Sequence, residues 1–177
     1  NNSDSVTAVS ESLKNDTLSL FNINKPIKVI PNFVNLEKYL TKSSSKEIFS
    51  KKNKIITPVS NFRKVTRVID VINIFDGIQK IIPSKLMMIG DGPEKVNAEK
   101  LARKLGVKNK TVFFGNSNET NKILLFSDLF LLPSEIESFG LSALEAMAAS
   151  VPVVSSNTGG IPEVNIDYFS GLLSDIG

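Results

Sequence analysis

The sequence predicts an α/β protein of the Rossmann-like, doubly wound kind, a parallel sheet covered by helices on both faces. Three observations lead there. From residue 54 onward, short apolar runs alternate with longer amphipathic segments, the pattern of strands alternating with helices. The runs are rich in Ile, Val, Leu and Phe without polar alternation, as strands buried on both faces require. The connections are short, which implies right-handed parallel crossovers.

The elements follow in order. Residues 1–22 are polar, and the apolar rhythm of Leu13, Leu18, Leu20 and Phe21 predicts a short helix. Residues 25–31 read as a strand closed by Pro31, and residues 41–53, dense in Ser and Lys, as a loop or linker. Strands are expected at Lys54–Val59, Lys85–Ile89, Thr111–Phe114, Asp128–Leu132 and Val151–Val154, with a last one at Gly171–Leu173. Helices are expected near 65–82, 94–105, 118–126 and 140–149. The first is the clearest, because Val65, Val68, Ile69, Ile72, Phe75 and Ile82 follow helical spacing and turn one face inward. Pro83 stops it. Phe113 and Phe114 read as core rather than as base-stacking groups.

Composition narrows the function. The 177 residues suit one domain, or one domain with a fragment of another, and both ends read as cut from something longer. Net charge is only +3, from 21 basic and 18 acidic residues, and the basic residues are scattered, which argues against nucleic-acid binding. There is no Cys and no His, so a disulfide scaffold, thiolate zinc sites, a Cys nucleophile and a His general base are excluded within this chain. No apolar run has the length to span a bilayer and no signal peptide opens the chain, so the expected compartment is the cytoplasm.

Ligands of doubly wound sheets bind beyond the carboxyl ends of the strands. The chemistry is therefore expected in the loops after residues 59, 90, 114, 132 and 154. Each is polar or Gly-rich: Ser60-Asn61-Phe62-Arg63-Lys64, Gly90-Asp91-Gly92-Pro93-Glu94, Gly115-Asn116-Ser117-Asn118, Pro133 through Gly140, and Ser155 through Glu163.

The fourth loop is the sharpest signal. Glu137 and Glu145 lie eight residues apart, one just before the expected helix and one two turns inside it. The two carboxylates could grip opposite ends of an extended ligand. Free N–H groups at Phe139, Gly140 and Leu141 would point between them, and with the positive helix end they suit a diphosphate. A glutamate at a helix start is often only a favourable charge near the dipole, worth about 0.3–1 kcal/mol. The wider context S-E-x-E-S-F-G-L-x-x-L-E-A-M, residues 134–147, favours a ligand. Arg63 and Lys64 face the same edge, and cations at a helix start oppose its dipole unless an anion lies nearby. Gly90-Asp91-Gly92-Pro93 reads equally as a tight turn or a ligand loop. Thr158-Gly159-Gly160-Ile161-Pro162-Glu163 is a turn whose Gly pair would let the backbone approach a ligand.

Taken together, the E-x7-E element, Gly90-Asp91-Gly92-Pro93-Glu94, Ile30-Pro31-Asn32 and Gly159-Gly160-Ile161-Pro162-Glu163 resemble the C-terminal domain of family 4 retaining GT-B glycosyltransferases. The resemblance covers 25–177 and implies a nucleotide-sugar-binding domain that continues beyond residue 177. Residues 1–24 would be the end of the N-terminal, acceptor-binding domain and a linker. Thr7 through Leu13 and Ser60 through Val65 look like a narrower branch, which transfers N-acetylglucosamine from its UDP donor to L-malate for bacillithiol biosynthesis, retaining the α configuration without bound metal or other cofactor. The resemblance implies that Glu145 binds the ribose hydroxyls and Glu137 the sugar hydroxyls. Phe139, Gly140 and Leu141, with Ser138 beside them, would face the sugar and diphosphate. Arg63 would neutralise the diphosphate, Asn116 would lie by the uracil, and Ser60, Asn61, Lys64 and Gly90 would complete the donor site. The acceptor, a small molecule, would be held by the missing domain. A homo-oligomer is compatible with the sequence.

Four positions depart from the family pattern. Thr66 stands where a second diphosphate-binding Lys is usual, Pro58 where the branch often has His, and Ser150 and Tyr168 where Gly is usual. These departures point to reduced activity. Two alternatives stay open: another family 4 transferase with a different donor, such as GDP-mannose, and a lipid or polysaccharide acceptor, or a non-catalytic nucleotide-binding module.

Overall fold

In a computed structural model, residues 4–40 and 53–176 are described. The linker expected at 41–53 lies, apart from Asn53, outside them. Six strands form one fully parallel sheet: β3 (Lys54–Thr57), β4 (Ser84–Ile89), β5 (Thr111–Gly115), β6 (Leu129–Leu132), β7 (Val153–Ser156) and β8 (Gly171–Ser174), in the order β5-β4-β3-β6-β7-β8. The α/β, doubly wound architecture expected from the alternating runs is the one observed. The chain opens with a separate parallel pair, β1 (Val6–Ala8) and β2 (Ile27–Val29), joined by helix α1 (Glu11–Leu20). The strand expected at 25–31 is thus β2, and it pairs with β1 rather than with the large sheet.

Burial explains why these runs became strands. The central strands β3, β4 and β6 are buried almost throughout, whereas the edge strands β5 and β8 alternate between more and less buried positions. On one face, α3 (Val68–Ile81) and α4 (Lys95–Lys104) pack Val68, Val71, Ile72, Phe75, Ala98 and Ala102 against Ile56, Leu86, Met88 and Leu131. On the other, α5 (Thr120–Leu124) and α6 (Leu141–Ala148) pack Leu124, Ala143 and Ala146 against Phe130, Leu132 and Val153. Leu131 serves the first face and its neighbours Phe130 and Leu132 the second, as the two-residue period of a strand dictates.

Several expectations need correction. The helix foreseen over 65–82 is split: Lys64–Thr66 form a 3₁₀ turn, Arg67 sits in the left-handed region at φ 52°, and only then does α3 begin. Val65 and Ile82 are consequently exposed rather than inward-facing. Phe113 packs against the first core, its ring 6.4 Å from that of Phe62 at 80°, but Phe114 is exposed because β5 is an edge strand. Helix α1 forms as expected, yet buries none of its residues and leaves Leu18, Leu20 and Phe21 exposed. A short helix not foreseen, α2 (Glu37–Leu40), precedes β3.

Strand order positions the site. From β3 the chain moves outward to β4 and β5; from β6 it moves the opposite way to β7 and β8. The order reverses between β3 and β6, and the loops leaving those two strands diverge there and open a crevice.

Candidate donor-binding site

The crevice is a cleft of about 520 Å³ beyond the carboxyl ends of the strands. Of the residues expected in the site, Ser60, Asn61, Arg63, Gly90, Asn116, Glu137, Leu141 and Glu145 line it. Thr66 and Ser117, named in the sequence only as a departure and as part of a loop, line it too, as do Val65, Thr120 and Ser142, which have no distinctive type or spacing to mark them. Lys64 does not line it. It is exposed, beside a second depression shared with Arg67, Asp70, Glu94 and Glu135, because the 3₁₀ turn points consecutive residues apart. Ser138, Phe139 and Gly140 are not among the lining residues either. Phe139 is buried, and Gly140 holds φ 90° as the residue before the first helical position of α6.

One wall is the loop after β3. Its backbone runs alongside the next loop through Ser60 N–H to the Ile89 carbonyl (3.1 Å) and Phe62 N–H to the Asp91 carbonyl (2.8 Å). A Cβ on Gly90 would lie 1.9 Å from the Ser60 carbonyl oxygen, so the Gly-Asp-Gly turn works by letting two loops touch. Thr66 donates its hydroxyl to the Asn61 carbonyl (2.6 Å) and accepts from Arg63 N–H (3.2 Å). Where the family pattern has a cation, this chain therefore has a clamp on its own loop. The buried Pro58 acts similarly, its carbonyl accepting from Ile89 N–H at 3.1 Å.

The opposite wall is the loop Pro133–Gly140 and the start of α6. Leu141 and Ser142 occupy the first helical positions, whose N–H groups have no acceptor inside the helix. Glu135 N–H bonds the Val65 carbonyl at 2.7 Å and ties the two walls together. The Gly159-Gly160 pair supports this wall: Gly160 N–H donates to the Glu137 carbonyl at 2.9 Å. Added Cβ atoms on Gly159 and Gly160 would sit 2.0 and 2.2 Å from the carbonyl oxygens of Glu137 and Ser138. The pair was expected to admit a ligand; in the structure it admits the neighbouring loop.

Glu145 projects from α6 toward Tyr39, whose phenol lies beside its carboxylate. Burial raises the Glu145 carboxyl above its ordinary range, and Tyr39 and Lys38 offset part of that. Burial also raises the Tyr39 phenol, and Glu145 adds to the shift. Tyr39 is buried in the second core, and Asn121 Nδ2 donates to the Lys38 carbonyl at 3.1 Å, fixing α2 over α5. A half-buried carboxylate, partly desolvated at one end of a cleft, is poised to accept hydrogen bonds from neutral hydroxyls. Among the described residues, no group of three or more His, Cys, Asp or Glu could hold a metal ion, and no helix is long and apolar enough to cross a membrane.

Known proteins are similar to this chain in sequence and in fold. The chain is 41% identical to the N-acetyl-alpha-D-glucosaminyl L-malate synthase of Bacillus anthracis, over 99% of this chain and 47% of that protein. It is 33% identical to an uncharacterized glycosyltransferase of Methanocaldococcus jannaschii, over 90% of this chain and 44% of that one. The chain thus spans about half the length of the curated relatives it matches. Its fold is that of GT-B glycosyltransferase structures: Anabaena HepE, solved with UDP and glucose, superposes with a TM-score of 0.87 at 22% identity over 99% of this chain and 50% of that one. WaaG, a glycosyltransferase of lipopolysaccharide biosynthesis, superposes at 0.83 and 19% identity, over 96% of this chain and 48% of its own. Residues 41–177 match the family described as glycosyl transferases group 1, and to that family the chain belongs.

Proposed function

We propose that the chain is the donor-binding part of a cytoplasmic retaining glycosyltransferase that takes UDP-N-acetylglucosamine and delivers its sugar to L-malate. The observation that carries this reading is the pair of carboxylates, Glu137 and Glu145, lining one cleft with the start of α6 between them and Arg63 also lining it. The 41% identity to the malate synthase supports the choice of donor and acceptor. In the reaction, the bond from the anomeric carbon to the diphosphate oxygen breaks and its electron pair leaves with UDP. The acceptor hydroxyl oxygen forms the new bond, and its proton passes to the departing diphosphate oxygen. Arg63 and the N–H groups at Leu141 and Ser142 stabilise the charge gathering on the diphosphate, in the manner of preorganised donors. Glu145 holds the ribose, Asn116 lies by the uracil, and Glu137 orients the sugar. No metal is required. The acceptor is brought by a further domain across the cleft, so this chain alone supplies no proximity.

Titration calorimetry of the 177-residue chain with UDP and GDP tests the reading. The expected result is weak binding of UDP, weaker or no binding of GDP, and no sugar transfer. Preference for GDP would overturn the donor assignment, and turnover by the purified chain would overturn the division of labour.

A further inference from the structure

Three distant segments meet at one carbonyl group. Ser10, buried at 1% exposure, donates its hydroxyl to the Ser138 carbonyl at 2.6 Å and accepts from Leu13 N–H at 3.0 Å, so it caps α1 and grips the Glu137 loop at once. Glu163, at the end of the turn that follows Gly159-Gly160, accepts from the N–H groups of Glu11 and Ser12 at 2.9 and 2.8 Å, across more than 150 residues of sequence. Two of the orphan donors at the start of α1 are thereby satisfied by a carboxylate from another part of the chain, which also suits the positive end of that helix. Gly160 packs against the same Ser138 carbonyl, where an added Cβ would lie 2.2 Å from the oxygen, and its N–H holds the Glu137 carbonyl. The peptide planes on both sides of Ser138 are therefore set by Ser10 and Gly160, neither of which lines the cleft.

We infer that Ser10 and Glu163 are positioning residues for sugar recognition: they seat the β1–α1–β2 unit on the Glu137–Ser138 loop and through it fix the direction of the Glu137 side chain. The inference rests on the proposed reading of the cleft as a UDP-sugar site. It separates the cleft into two ends. The Glu145 and Asn116 end depends on α6 and the loop after β5, and the Glu137 end depends on α1 and the turn at 161–163.

Calorimetry with both UDP and UDP-N-acetylglucosamine, on the wild-type chain and on Ser10→Ala, Glu163→Gln and the double variant, tests it. The expected result is unchanged affinity for UDP and about a tenfold loss in the ratio of UDP-sugar to UDP affinity in each variant. The double variant should lose little more than either single, because the two contacts serve one loop. Should Ser10→Ala fold poorly, Glu163→Gln alone carries the test, since it alters an exposed side chain and keeps one acceptor oxygen. An unchanged ratio, or equal weakening of both ligands, would overturn the inference. If the wild-type chain bound no UDP at all, the reading of the cleft itself would have failed.

Discussion

The helices α3 and α6, on opposite faces of the sheet, meet it by different means, and the difference tracks what each does for the cleft. Under the wall that carries Arg63, α3 meets the sheet through bulky side chains: Ile72 and Phe75 pack with Phe62, Leu86 and Met88, all fully buried. Under the wall that carries the glutamates, the helix α6 meets the sheet through Ala143 and Ala146, with Ala149 following. Alanine contacts bring the helix backbone close and leave little side-chain freedom to absorb a shift, whereas a layer of large groups contributes more buried area and more stability. One face is foundation; the other is alignment.

The largest effect should come from the foundation. Phe75→Ala should lower the unfolding free energy by about 3–5 kcal/mol, the usual cost of emptying a Phe-sized core position, while the folded fraction keeps its affinity for UDP. Denaturant titration with parallel ligand binding checks both halves, and a large loss of affinity in the folded protein would break the comparison. Glu145→Gln should do the reverse. Losing the proposed charge-assisted contact to the ribose should weaken UDP binding by about 10–100-fold, equivalent to roughly 1.5–3 kcal/mol. Stability should move the other way. Because burial raises the native Glu145 above its unfolded value, the native form binds more protons, and stability falls as pH rises through the native value. The variant removes that penalty, so its melting temperature should exceed that of the wild type at neutral pH and converge with it in acid. The smallest effect is expected at Ser150, just past α6, which adopts φ 59°. Ser150→Gly should stabilise the chain by up to about 1 kcal/mol by relieving the left-handed strain, with no change in ligand affinity. A loss of stability in thermal denaturation would show that the serine has a contact role.

Much of this was legible in the sequence, for identifiable reasons. The central strands announced themselves because burial on both faces demands uninterrupted apolar residues, and α6 did so because Glu137 and Glu145 bracket its start. Ser150 and Tyr168, the two positions where the family pattern has Gly, both adopt positive φ, 59° and 58°. What stayed hidden was of two kinds. The break before α3 was masked because Val65 keeps the helical rhythm while Thr66 turns its hydroxyl onto the backbone of its own loop, a local competition that periodicity does not register. Tyr39 over Glu145 and Glu163 over α1 are partners that only the folded topology brings together. Glycine pairs were ambiguous in principle: a sequence says that something approaches closely, not whether it is a phosphate or a neighbouring carbonyl.

The backbone contact at Gly159 and Gly160 bears on any effort to retarget the cleft. A protein engineer who wants a different sugar cannot relax the Glu137 end by trimming side chains, because what crowds it there is main chain on main chain. Substituting either glycine would displace the loop wholesale. The adjustable surface is instead Asn116 to Asn118 and Thr120, polar groups carried on the edge-strand side, where a library could alter what the proposed base end accepts while the Glu137 end keeps its shape.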